Sequence, residues 1–505
     1  MIHSFVTRSA ERFGDREALV VGDTRLTWSE LDRRSNALAR GYQKLGVAHG
    51  DRVHLYLENT AEAVVAWWAA HKAGAIPTVL NPLTKADKLA WYLNDARAAL
   101  LVGEAQLTPF WSEAARKTSH LKHVLTTGAA VDGKHCQGLN VSTLGEAIAG
   151  DAGALDTRRD AGEVAAIIYT SGSTGQPKGV MLTHANIEHS SGVLTDLLEM
   201  NDRDVVLSAL TLAFNYGLYQ TILTARVGAK LVLERSFAFP VKTLERIAKE
   251  KATGFPGVPT MYAMMAPLSL PGFDFSAVRF LTNTAAALTP KHVAALERLF
   301  PNAKIHSMYG LTETKRLTAL PPKDLHRKPD SVGLPVKGTE LWLIDEHGQR
   351  LEGKPGQVGE LVARGPNVMK GYWEKPEANA KALQGDTFRT GDLFRFDDES
   401  YLYFVSRKDD VIKSRGEKVA PVEVENALTE LPGIKEAAVI GVPDEVLGQA
   451  VKAFVVLEEG AALTEREIQK RLSARLELFM VPKIVAFVPA LPKTPTGKIS
   501  KIGLS

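Results

Sequence analysis

The sequence predicts an α/β fold divided into more than one domain, and three observations carry that expectation. The chain has 505 residues, more than one hydrophobic core usually serves. Between Arg52 and about residue 310, short apolar β-rich runs alternate with amphipathic stretches, the pattern of parallel sheets covered by helices. After residue 330 the chain breaks into short alternating segments split by Gly and Pro, and past Arg407 it returns to a compact α+β pattern.

The elements follow in order. Residues 1–12 have helical spacing but no continuous apolar core of signal-peptide type. Strands are expected at 53–57, 76–80, 99–102, 205–210, 230–233, 278–281 and 304–308, and helices at 61–73, 85–94, 241–251 and 290–300. Residues 164–168 read as a buried strand, and Thr183 reads as the cap of a helix beginning within 182–187. The polar run between them is therefore expected at a strand-to-helix corner. Segments 340–344 and 358–363 suggest a small antiparallel β-subdomain. Polar residues 406–410 have little to bury and form a candidate hinge. A helix near 422–431, strands near 437–440 and 453–457 and a helix near 464–476 complete the chain, with no short internal repeat.

Composition narrows the function classes. Hydrophobic residues make up 45% and charged residues 24%, as in an ordinary globular protein. The net charge of +3 comes from 61 basic and 58 acidic residues without long single-sign blocks, so no nucleic-acid partner is expected. Cys136 is the only cysteine, which excludes an intrachain disulfide and a cysteine-rich metal site and fits a reducing compartment. No stretch reaches 18 uncharged apolar residues, so the expectation is a cytoplasmic protein without stable membrane insertion.

The run Tyr169-Thr-Ser-Gly-Ser-Thr-Gly-Gln-Pro-Lys178-Gly179 is the strongest chemical signal. Gly172, Gly175 and Gly179 free backbone amides of side-chain bulk, Thr170, Ser171, Ser173 and Thr174 supply hydroxyl donors, and Lys178 supplies a charge: a set suited to phosphates. It is not a Walker A loop. Pro177 stands at the second required glycine and Gly179 where a magnesium-binding Ser or Thr is needed.

Further segments follow in register: Met308-Tyr-Gly-Leu-Thr-Glu313, Thr390-Gly-Asp392, the stretch from Ser406 to Glu425, and Pro492-Lys-Thr-Pro-Thr-Gly-Lys498. With the phosphate loop before them, they resemble the adenylate-forming superfamily of acyl-CoA synthetases, carrier-protein adenylation domains and luciferases, over nearly the whole chain. The resemblance implies a core of residues 1–408, with two α/β sheet subdomains plus a small β-subdomain at about 330–405, followed by a small mobile α+β domain of residues 409–505. It also implies a reaction in which a carboxylate attacks the α-phosphate of ATP, giving acyl-AMP and pyrophosphate, after which a thiol displaces AMP.

By the same resemblance, residues 170–178 cradle the β- and γ-phosphates, Thr312 touches the α-phosphate, Glu313 holds Mg2+ and Tyr309 stacks near the adenine. Asp392 binds the ribose hydroxyls with help from Arg407, and Asp409 is the hinge. Lys498 reaches the carboxylate and α-phosphate in the first step. It then withdraws as the C-terminal domain swings and brings Gly416 to a tunnel for the pantetheine arm of coenzyme A or of a carrier protein. Phe214, Asn215, Tyr216, Gly217, Val258, Asn283, Ala285, Ala286 and Ala287 are the expected acyl-pocket walls. Phe214 departs from a gating histidine found in many relatives, and alanines replace a glycine pair near residue 285. Asn215 stands where amino-acid-activating relatives carry an aspartate, which disfavours an α-amino acid, because a buried ammonium without a carboxylate partner is costly.

The expected activity is an AMP-forming acyl-CoA synthetase acting on a small carboxylic acid. A free-standing enzyme loading an acyl carrier protein and a non-catalytic nucleotide-binding scaffold remain alternatives. Chain length of the acid and oligomeric state are open at this stage.

Overall fold

The structure is a computed structural model that describes all residues except 129–130, 132–137, 149, 156, 158, 171–176, 269, 271, 285–287, 415–416, 445–446 and 495–497. Cys136, Ser171, Gly172, Ser173, Thr174, Gly175, Ala285, Ala286, Ala287, Gly416 and Gly497 thus lie outside the described residues. The chain divides into two compact units. One comprises residues 1–329, 335–339 and 364–387, and the other residues 330–334, 340–363 and 388–505.

The first unit is built on parallel sheets, as the alternation of apolar runs and helices requires. One sheet orders the strands Lys304–Tyr309, Phe280–Asn283, Gly254–Gly257, Val205–Ser208, Lys230–Leu233 and Glu17–Val21 side by side, all parallel, with Thr24–Thr27 antiparallel at the end. A second parallel sheet orders Ile76–Val79, Arg52–Tyr56, Leu100–Glu104, His123–Thr127 and Asn140–Thr143. Helix Ala61–Ala73 is buried almost all round. Thr60 caps its start by accepting from the Ala63 amide, and Gly74 ends it at φ 93°. Its own Trp67 and Trp68 are fully buried, as is Trp28.

A third, small sheet changes the expected setting of the phosphate loop. Strand Val164–Thr170 pairs antiparallel with Lys178–Thr183, from Val164 opposite Thr183 to Thr170 opposite Lys178. The loop therefore closes a β-hairpin and is not at a strand-to-helix corner. The apolar run Val180-Met-Leu extends the ladder, with Val180 and Leu182 buried, before the chain can turn. Thr183 then caps helix His184–Leu197 as expected: its hydroxyl accepts from the Asn186 amide at 3.1 Å while Asn186 Oδ1 accepts from the Thr183 amide at 2.9 Å.

The second unit contains strands ordered Glu340–Ile344, Val358–Arg364, Thr387–Phe396, Leu402–Arg407 and Ser331–Pro335, with Leu402–Arg407 antiparallel to both of its neighbours. The exposed turn Lys408–Asp410 follows it. Beyond lie helix Pro421–Thr429, the long hairpin Ile434–Asp444 with Gly448–Leu457, helix Glu465–Ser473, and strand Ile484–Phe487 running parallel to Gly448–Leu457. Val424, Leu428, Val439, Val455, Ile468 and Leu472 form its core. Among the described residues, no helix is long and apolar enough to cross a membrane.

Candidate active site

The hairpin ladder fixes both ends of the phosphate loop. Thr170 Oγ1 lies 3.5 Å from the Lys178 carbonyl oxygen. The Tyr169 hydroxyl donates to Asp95 Oδ2 at 2.7 Å, and burial first, then the Asp95 charge, pushes it far above the usual tyrosine range. Gly179 has a different role from the one expected. A Cβ there would lie 2.8 Å from Ile167 Cγ2 and 3.2 Å from Tyr169 Cε1. Its bareness is a packing requirement of the hairpin and does not free an amide for an anion.

Strand pairing carries a tyrosine to the lysine that ends this loop. Gly371–Tyr372 pairs antiparallel with Lys178–Thr183, placing Gly371 opposite Met181 and Tyr372 opposite Val180. The Tyr372 ring centroid lies 5.2 Å from Lys178 Nζ, and its hydroxyl donates to Glu313 Oε1 at 2.8 Å. Glu313 is buried, and its backbone carbonyl accepts from the Met369 amide at 2.7 Å. Burial and the Glu313 charge hold the Tyr372 hydroxyl far above its ordinary pKa, so it remains a donor at physiological pH. One tyrosine thus joins the expected phosphate-binding cation to the expected metal-binding carboxylate. The Gly371-Tyr372-Trp373 run had drawn no attention in the sequence, because its partners are far away along the chain.

Tyr309 ends strand Lys304–Tyr309, and Thr312 lies in the turn before Glu313, both partly exposed. Gly310 permits this turn to fold back: a Cβ there would lie 2.2 Å from the Lys315 carbonyl oxygen. Among the described residues, no group of three or more His, Cys, Asp or Glu side chains could hold a metal. Glu313 alone cannot make a cage, but an oxygen-only ligand offering one carboxylate is how Mg2+ is commonly held beside substrate phosphates.

Asn215 and Tyr216, two of the expected acyl-pocket residues, adjoin a second buried group. Phe214 precedes helix Asn215–Val227 at its cap position. Tyr216 Oη lies 2.7 Å from the Thr282 carbonyl oxygen and 2.6 Å from Thr282 Oγ1, and burial pushes this hydroxyl up to about 12. Gly217 is a packing glycine, since a Cβ would lie 2.2 Å from the Thr211 carbonyl oxygen. Asn283 is buried at the end of strand Phe280–Asn283, level with Gly257 and Ser307 on its neighbours. Sequence reasoning missed Lys315 and Arg316 here. Lys315 Nζ donates to the Asn215 carbonyl at 3.0 Å and stands 3.4 Å over the Tyr219 ring, while the Arg316 guanidinium lies 5.1 Å from the Tyr216 ring centroid. Their signal was present as two adjacent cations running into Leu317-Thr-Ala-Leu320.

In the second unit, Asp392 and Arg407 are direct cross-strand partners, and Arg407 Nε lies 3.7 Å from Asp392 Oδ1. Asp392 is buried, whereas Arg407 is largely exposed. Thr390 Oγ1 accepts from the Asp392 amide at 3.1 Å, after Gly391 turns at φ 72°. Beside them Glu360 takes Arg389 at 2.6 Å and Lys408 at 2.9 Å, an anchor for the start of the turn Lys408–Asp410. Asp409 is exposed. Lys498 is also exposed; its carbonyl accepts from the Thr494 amide at 2.7 Å and its amide donates to Thr494 Oγ1 at 3.1 Å.

Comparison with known proteins places the chain in a family. The AMP-binding enzyme family matches residues 6–373, and the AMP-binding enzyme C-terminal domain matches residues 423–498. The chain is 33% identical to an oxalate–CoA ligase of Arabidopsis thaliana, covering 97% of this chain and 95% of that protein. It is 32% identical to a long-chain-fatty-acid–CoA ligase of Bacillus subtilis, covering 99% and 93%. Among solved structures, an anthranilate CoA ligase in complex with anthranoyl-AMP superposes with a TM-score of 0.90 at 27% identity, covering 99% of this chain and 95% of that one. The chain therefore belongs to the AMP-binding enzyme family, within the adenylate-forming superfamily that includes these acid–thiol ligases.

Proposed function

We propose that the chain is an ATP-dependent, AMP-forming acyl-CoA synthetase for a small carboxylic acid. The observation that carries this reading is the shared tyrosine: Lys178 and Glu313, a cation for phosphate oxygens and a carboxylate for a hard metal, are tied through Tyr372 beside the Gly/Ser/Thr loop. Nucleotidyl transfer needs such placement of charge and no protein nucleophile.

In the first step a carboxylate oxygen of the substrate attacks the α-phosphorus of ATP. The bond from that phosphorus to the bridging oxygen breaks, and pyrophosphate leaves with the electron pair. Residues 170–178 hold the departing phosphates, Thr312 donates to the α-phosphate, and Lys498 offsets negative charge on the carboxylate and the α-phosphate. Asp392 accepts from the ribose hydroxyls with Arg407 beside it, and Tyr309 stacks near the adenine. Mg2+ held by Glu313, when bound, supplies further charge neutralisation at the phosphates.

In the second step the thiolate of coenzyme A attacks the acyl carbon, the bond from that carbon to the AMP oxygen breaks, and AMP leaves. Motion about Asp409 exchanges Lys498 for the region of Gly416, which has no side chain to obstruct a pantetheine arm. ATP–pyrophosphate exchange over a panel of carboxylic acids, followed by thioester formation with coenzyme A, tests the reading. Exchange by some acid and its conversion to an acyl-CoA are expected. Folded protein that exchanges with none of a broad panel would return the chain to a non-catalytic nucleotide-binding role, and thioester formed only on a phosphopantetheinylated carrier would replace coenzyme A as acceptor.

A further inference from the structure

Several buried or part-buried cations in this chain hold carboxylates. Lys72 lies 2.6 Å from Asp32, Arg279 2.5 Å from Asp204, and Lys230 3.1 Å from both Glu17 and Glu250. Lys315 and Arg316 break this pattern. They are only 2% and 6% exposed, adjacent in the chain, and among the described residues neither has a carboxylate partner. Lys315 relies on the Asn215 carbonyl and the Tyr219 ring, and Arg316 donates to the Lys315 carbonyl at 2.8 Å. Arg316 Nε and Asn215 Oδ1 are buried without a hydrogen-bond partner.

Two positive charges out of water and uncompensated are costly, and removing such groups would be the simpler solution for a core. The backbone also bends to keep them. Lys315 has φ 60°, a left-handed conformation that a side chain disfavours, and Gly310 is bare because the Lys315 carbonyl presses against it. Lys315 contacts Asn215, and Lys315 and Arg316 lie 6.0 and 5.1 Å from the Tyr216 ring centroid; both Asn215 and Tyr216 are walls expected for the acyl pocket.

We propose that the acid activated by this protein carries a second anionic group, a distal carboxylate, which Arg316 and Lys315 hold while the other carboxylate reacts. The inference rests on the acyl-CoA synthetase reading and names the substrate class of that same site. Asn215, which carries no charge, does not compete for the cations as an aspartate would.

ATP–pyrophosphate exchange with wild-type protein and matched acids tests it: succinate against butyrate, glutarate against valerate, adipate against hexanoate. The best dicarboxylate should exceed its monocarboxylate partner by about 10- to 100-fold in kcat/KM. Arg316→Leu and Lys315→Met, checked for folding by thermal denaturation, should reduce or invert that ratio. Wild-type exchange with monocarboxylates equal to or better than dicarboxylates overturns the proposed substrate class and leaves the adenylation reading standing. Exchange with none of the dicarboxylates overturns this inference, while the adenylation reading falls only if the broad panel of carboxylic acids is silent as well. Should the variants fail to fold, the wild-type ratio still decides.

Discussion

Replacing Tyr372 by Phe removes one hydroxyl and leaves the ring in place. The hydroxyl donates to buried Glu313 at 2.8 Å, whereas the ring face lies 5.2 Å from Lys178 Nζ. A hydrogen bond to a charged acceptor contributes about 1.5–3 kcal/mol, and about 1.4 kcal/mol is a factor of ten in rate. Tyr372→Phe should therefore lower kcat/KM for ATP–pyrophosphate exchange by about 10- to 100-fold and alter the Mg2+ concentration at half-maximal rate, while KM for the acid stays unchanged. Tyr372→Leu removes the ring as well and should lose a further ~0.5–2 kcal/mol of cation–π interaction, seen as weaker ATP binding. Thermal denaturation would show that both variants are folded. A Phe variant with wild-type exchange and an unaltered Mg2+ curve would refute the idea that this tyrosine orients Glu313.

Two other outcomes concern stability. His306 is buried, and burial together with Lys304 pushes its imidazole down to about 4. Because the unfolded chain takes up this proton near pH 6.5, stability present above about pH 6.5 should be lost as pH falls toward 4, by roughly 3 kcal/mol from this group. His306→Leu should lose less stability than wild type between pH 7 and pH 4.5 in urea unfolding, and an equal loss would contradict the assignment. Gly310→Ala places a Cβ 2.2 Å from the Lys315 carbonyl oxygen and should destabilise the protein by about 1–3 kcal/mol in the same assay, with unchanged stability as the contrary result.

Much of the fold was legible because its signals are local. Helix Ala61–Ala73 begins and ends at the expected residues, where Thr60 and Gly74 supply both stops, and the strands at Arg52–Tyr56, Lys230–Leu233 and Lys304–Tyr309 follow the apolar runs that predict them. The phosphate loop was placed at the wrong kind of corner because Val180-Met-Leu is too short to announce a strand until Val164–Thr170 pairs with it. Strands Glu17–Val21 and Thr24–Thr27 and helix Trp28–Lys44 were not foreseen, although Thr27 and Glu30 form a capping box at that helix start.

The same distinction separates the site residues. Lys178, Glu313, Asp392, Arg407 and Lys498 stand in contiguous motifs and could be singled out by number. Tyr372 matters only because strand pairing brings it beside residues 178 and 313. Lys315 and Arg316 look like surface cations in a linear sequence, and only their burial without carboxylates makes them unusual.

The central claim is that an exposed lysine near the end of the chain serves adenylation and then gives way to thioester formation. Lys498→Ala separates the two half-reactions most directly. With the acid and ATP supplied, pyrophosphate exchange should fall by at least about 100-fold, while coenzyme A thioester formed from supplied acyl-AMP should stay within roughly threefold of wild type. Equal loss in both half-reactions would contradict the account.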